Sequence, residues 1–146
     1  MKKPKSKTPP PESPSVKSFL PAAIILMLLG WGGLIAIIIY IEPHGGARWA
    51  FFFTGVLAFT GTALPAMAYL NQRFPSSPPA SSGIIVRQSI WIGIYLPTLI
   101  WLGFGGVFEP FLALLLGVGL LLIETFLRLR ERAQWKPEAR TDRKSQ

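Results

Sequence analysis

Glu124 is the one acidic side chain set inside a long apolar stretch of this chain, and Arg128 follows it at the i+4 position. On a helix that spacing stacks both side chains on one face, in the favourable order for an ion pair, acid before base. Carboxylates inside apolar spans are costly, so each is a functional-site hypothesis by default. Two chemistries suit Glu124: coupling of a proton or cation, or a fringe carboxylate neutralised by arginine. Its closeness to the basic run that begins at Arg128 sets it near the end of its span and favours the ion pair. Arg73 and Arg87 are further arginines placed to reach it from the same side.

The second feature is a stripe. Ala50, Thr54, Ala58, Thr62 and Ala66 recur at every fourth position, with Gly55 and Gly61 nearby. Small side chains at this spacing line one helix face and let another helix approach closely, and Thr hydroxyls bond back one turn or across the contact. The stripe is a helix-packing interface, either within the chain or toward a second subunit. Matching surfaces lie at Gly30, Gly32 and Gly33, and at Gly117 and Gly119.

The third feature is the pair Pro65 and Pro97, each four residues after a glycine in the pattern Gly-x-x-Leu-Pro. A proline inside a helix removes one hydrogen bond and clashes with the carbonyl four residues back. Two kinked spans would suit a cavity or hinge, as in a transporter, although prolines are also common in ordinary membrane helices.

Other chemistry is thin. His44 is the only histidine; with Glu42 and Glu109 it forms a weak exterior metal candidate that nothing enforces, so no metal site and no cofactor is expected. The chain has no cysteine, which removes disulfides and thiolate ligands. No Ser-His-Asp set, phosphate loop or HExxH motif is present. An enzyme is not expected, with a lipid-modifying membrane enzyme as the exception.

The elements that must position these residues are membrane spans. Half of the chain is hydrophobic and 15% is charged, against roughly 25% in ordinary globular domains. The apolar residues are gathered in blocks. About 20 apolar residues in a helix cross a hydrocarbon layer of about 30 Å, and lipid forces such a block to be helical because it offers no hydrogen-bond partners. The boundaries read as a Lys- and Pro-rich tail over 1–18 without a core, a first span over 19–41 and a turn. A second span follows over 49–70, then a flexible linker over 71–87 and a third span over 88–105. After a tight turn at Gly103–Gly106 come a fourth span over 107–128 and a basic tail over 129–146. The expected fold is an all-α membrane protein of four transmembrane helices in two antiparallel hairpins.

Charge sets the orientation. Fourteen of the fifteen Lys and Arg residues lie in the two tails and the 71–87 linker, and only Arg48 lies in an opposite turn. The positive-inside rule then puts both termini in the cytoplasm of a cell inner membrane. It also accounts for the net charge of +8 without nucleic acid, since the basic residues lie where anionic headgroups attract them. Tyr40 and Trp49 belong to the outer interface, Tyr69, Phe74, Trp91 and Trp135 to the inner one, and Trp31 and Trp101 between helices.

The segments Gly61-Thr-Ala-Leu-Pro, Tyr69-Leu-Asn-Gln-Arg-Phe74 and Ile123-Glu-Thr-Phe-Leu-Arg-Leu-Arg130 carry a resemblance. Over residues 19–132 the chain resembles uncharacterised small bacterial four-helix inner-membrane proteins, which implies the fold and brings no activity. The small multidrug exporters are similar in size but carry a Glu in their first helix, where this chain has no acid. The expected role is a non-enzymatic accessory or assembly subunit of the bacterial cytoplasmic membrane, with a membrane-protein partner or a second copy. The alternative is a small oligomeric transporter or channel using Glu124 and the Pro65 and Pro97 kinks.

Overall fold

A computed structural model describes residues 14–40, 45–75 and 79–134. The expectations for Glu42, His44, Trp135, the tails over 1–13 and 135–146 and the linker centre over 76–78 lie outside the described residues. Those described form four helices, α1 (Val16–Tyr40), α2 (Gly45–Arg73), α3 (Ser82–Phe104) and α4 (Pro110–Gln134). Each is long and apolar enough to cross a membrane.

α1, α2 and α3 start before the ends expected from hydropathy and α2 and α4 run past them, for local reasons, whereas α4 starts at Pro110 and not at 107. α1 begins at Val16 because Ser15 caps it: Lys17 donates its backbone N–H to Ser15 Oγ at 3.3 Å, which satisfies a donor left open by the first turn. α3 begins at Ser82, so Ser82–Arg87, expected as linker, are its first turns. Ser81 holds an extended conformation, and its carbonyl accepts from Ile84 and Ile85 at 3.1 and 3.3 Å. Gly83, Ile84, Ile85 and Val86 are weak helix formers. Ile85 nevertheless has no exposed surface, and its packing overrides that propensity. α4 continues through Leu129–Gln134, expected as tail, on a run of Arg, Glu and Gln that favours helix.

The turn between α3 and α4 is a Schellman motif. Val107 donates to the Leu102 carbonyl at 3.0 Å and Gly106 to that of Gly103 at 3.1 Å. The motif needs a left-handed residue after the cap, and Gly106 supplies it at φ +68°. Pro110 then opens α4, where a missing N–H costs nothing.

Packing follows chain order. α1 lies along α2, α2 along α3, and α3 meets α4 only sparsely; the backbone of α4 approaches neither α1 nor α2 closely. Rising numbers on one helix meet falling numbers on the next: Gly30 meets Ala58 and Gly33 meets Thr54. One core cluster joins Phe19 and Ala23 of α1, Leu64 and Ala68 of α2, and Ala80 with Ile85 at the start of α3. Among the described residues, none of those in α4 is buried.

Candidate functional site

The α1–α2 contact is built from small residues. A Cβ added at Gly30 would strike the Ala58 backbone, and one at Gly33 would lie 2.7 Å from Thr54 Cγ2. Thr54 Oγ1 donates to the Ala50 carbonyl at 2.8 Å and Thr62 Oγ1 to that of Ala58 at 2.8 Å. Each hydroxyl thereby spends its proton one turn back. Trp31 Nε1 donates to Thr62 Oγ1 at 3.2 Å and its ring meets Phe59 edge-on. Of the stripe, Thr54, Ala58 and Thr62 face α1, Ala50 is half-buried, and Ala66 is exposed.

α2 has a second small-residue contact, with α3, outside the expected stripe. Gly55 sits against Pro97, and Gly93 receives the Thr60 side chain. Both glycines were visible in sequence; their partner helix was not, because it depends on how α2 is rotated. α2 and α3 run unbroken through Pro65 and Pro97. Pro97 is fully buried and acts as a packing residue that also lines an apolar cavity of about 220 Å³ with Gly55, Phe59 and Trp31. Trp101 packs edge-on against Trp49 at 4.7 Å between ring centroids.

The polar site lies between α3 and α4. Arg87 Nε donates to Glu124 Oε2 at 2.9 Å, and Arg128 Nε donates to Glu124 Oε1 at 2.9 Å. The remaining Arg87 nitrogens donate to Glu131. Glu124 is therefore clamped from both sides, with its side chain 12% exposed. Of the arginines named from sequence, Arg87 and Arg128 reach it. Glu131 was missed, although its i+7 position repeats the face of Glu124 and was a readable signal. Next to the cluster, Asn71 Nδ2 donates to the Met67 carbonyl at 2.8 Å and to Gln88 Oε1 at 3.1 Å.

One turn and more above Arg87, the two helices stand apart. Tyr95 donates its hydroxyl to the Ala113 carbonyl at 3.1 Å and lies over Gly117, where a Cβ would come 3.2 Å from the Tyr95 oxygen. Tyr95 and the ion cluster pin α4 to α3 at two heights. Between the pins is a cavity of about 390 Å³, lined by Trp91, Ile92, Tyr95, Gly117, Leu121 and Glu124 among others. Trp91 Nε1 is shielded from solvent and bonds nothing among the described residues, as does Thr60 Oγ1. No group of His, Cys, Asp and Glu suited to a metal ion occurs among the described residues.

Comparison of the chain with protein-family models, with curated proteins and with solved structures finds no match.

Proposed function

We propose that the chain is a multi-pass protein of the bacterial cytoplasmic membrane, with both termini inside, that acts as a non-enzymatic accessory or assembly subunit. The observation that carries this reading is the double clamp on Glu124: Arg87 and Arg128 each lie 2.9 Å from it. A carboxylate committed to two guanidiniums is a structural tie and is poorly placed to take up and release a proton. The Glu131 contact adds a second carboxylate to Arg87. The position of α4 agrees with this role. It is held at the edge by α3 alone, so most of its surface is open to a partner's helix or to lipid.

A transporter reading keeps one supporting observation, the 390 Å³ cavity that Glu124 lines. The distinguishing experiment is purification of the tagged full-length chain in mild detergent, with mass and stoichiometry measured. A single larger complex of fixed composition supports the accessory role. A lone homo-oligomer that loses transport in Glu124→Gln, while assembling normally, replaces it with the transporter.

A further inference from the structure

We infer that the groove between α3 and α4 is a specific site for one phospholipid bearing a primary-amine zwitterionic headgroup, of the phosphatidylethanolamine class. The inference goes beyond the accessory role and stands whether or not a partner protein exists.

The cavity has the right shape and polarity gradient. Its volume of about 390 Å³ falls within the roughly 300–1,000 Å³ of ordinary ligand sites. From Gln88 to Tyr95 it follows α3 for about 10 Å at 1.5 Å per residue, about two-thirds of the half-thickness of a hydrocarbon core of about 30 Å. Its wall is apolar above, at Ile92, Gly117 and Leu121, and ionic at one end, at Glu124. A solute with a chain and a charged head fits that order; a purely apolar or purely polar solute does not. The gap is kept open by the two pins, because Tyr95 on Ala113 and Arg87 on Glu124 fix the spacing of the helices above and below it.

The headgroup class follows from the charges that continue the α4 face past Glu124, beyond the cavity's lining. Arg87 is spent on Glu124 and Glu131. Arg128 uses only Nε on Glu124, and its two terminal nitrogens have no partner among the described residues. Glu131 is 42% exposed, and although both of its oxygens accept from Arg87, a carboxylate has lone pairs for a further donor. Arg128 and Glu131 are three residues apart, so their Cβ atoms lie about 5–6 Å apart on one helix face. A phosphate on Arg128 and an ammonium on Glu131, joined by a two-carbon tether, match that pair. A glycerol headgroup offers Glu131 no cation, and a trimethylated amine offers it no N–H donor. Trp91 adds a third contact. It lies one turn deeper than Arg87, at the level of the ester carbonyls beneath a phosphate. Its N–H lacks an acceptor, and a rotation of the indole toward the cavity would let an ester oxygen supply one.

The test uses the full-length chain, delipidated in detergent and then exposed to equimolar phosphatidylethanolamine, phosphatidylcholine and phosphatidylglycerol with identical acyl chains. Retained lipid is counted by native mass spectrometry. The expected result is one retained lipid per chain, with phosphatidylethanolamine favoured at least fivefold. Leu121→Trp, a change at an exposed wall position, should cut retention at least tenfold while helicity and thermal unfolding stay as in the parent. Arg128→Gln should retain lipid but lose the headgroup preference. Preference for phosphatidylglycerol or phosphatidylcholine overturns the proposal, as does retention that Leu121→Trp leaves unchanged in a folded protein, or no retention at all. Should Leu121→Trp fail to fold, the Arg128→Gln preference decides alone.

Discussion

Arg87 on α3 donates its Nε to Glu124 on α4 at 2.9 Å, across an interface where the two helices otherwise barely meet. The same guanidinium reaches Glu131 two turns further along. One side chain thus ties α4 to the rest of the molecule at its charged end.

Arg87→Ala should therefore free α4 more than it disturbs α1–α3. Hydrogen bonds to charged groups contribute roughly 1.5–3 kcal/mol each, and a loss of that size is expected on unfolding in mixed micelles. The check is the distance between spin labels placed at Ile92 and Leu121, on facing walls of the cavity: it should lengthen and broaden in Arg87→Ala while label distances between α1 and α2 persist. An unchanged distance distribution would mean that Tyr95 alone holds α4.

Glu124→Gln should be mild. The amide keeps size and an acceptor for one arginine, and Glu131 remains to balance Arg87, so a loss of about 1 kcal/mol is expected. The double variant with Arg128→Gln should be no worse than either single one, because the charge left by one change is removed by the other. Membrane levels and micelle unfolding measure both. A double variant far worse than either single one contradicts a simple pair.

Ala58→Leu should be the most damaging change on the stripe, since Ala58 is fully buried against Gly30 and a bulky side chain would force the backbones apart. Thr62→Leu should be intermediate, losing the Trp31 contact at an exposed edge. Ala66→Leu should be tolerated. Leu64, although outside the stripe, is only 3% exposed and sits in the core, so it is not a neutral control. Phe53→Ala, at 63% exposure, is the proper control. Expression and detergent melting rank the set; equal tolerance at Ala58 and Ala66 would mean the α1–α2 contact is wrong.

Tyr95→Phe removes the hydroxyl that reaches Ala113. Hydrogen bonds between membrane helices average about 0.6 kcal/mol in double-mutant cycles, so a small loss is expected, with the Ile92–Leu121 distance distribution broadened but its mean little changed. Spin-label distances on the same pair report it.

Membrane orientation is tested by Cys labelling. Ser6, Ser77 and Ser145 should be reached only from the cytoplasm, and Gly45 and Gly105 only from outside. Gly105, at φ −80°, accepts a side chain. Gly106, at φ +68°, should not be used, because a Cβ there costs about 1–2 kcal/mol. Labelling of Ser77 from outside would reverse the arrangement.

The sequence by itself determined whatever depends on neighbours along the chain. Apolar blocks compel helices in lipid, so the four spans were legible. So were a turn between the last two spans and the Glu124–Arg128 pair, both local in spacing, although the turn was expected from Gly103 and the fourth span from 107, whereas α3 runs to Phe104 and α4 starts at Pro110. Tertiary structure decided what depends on helix rotation and register. It chose Arg87 over Arg73 as the second partner of Glu124, put Thr60 on Gly93, buried Leu64, exposed Ala66, and drew Ser82–Arg87 into α3. The physical reason is that a span is apolar on every side. Where lipid and protein interior are equally apolar, burial leaves no period to read, and only close packing of small residues and a few polar contacts distinguishes one face from another.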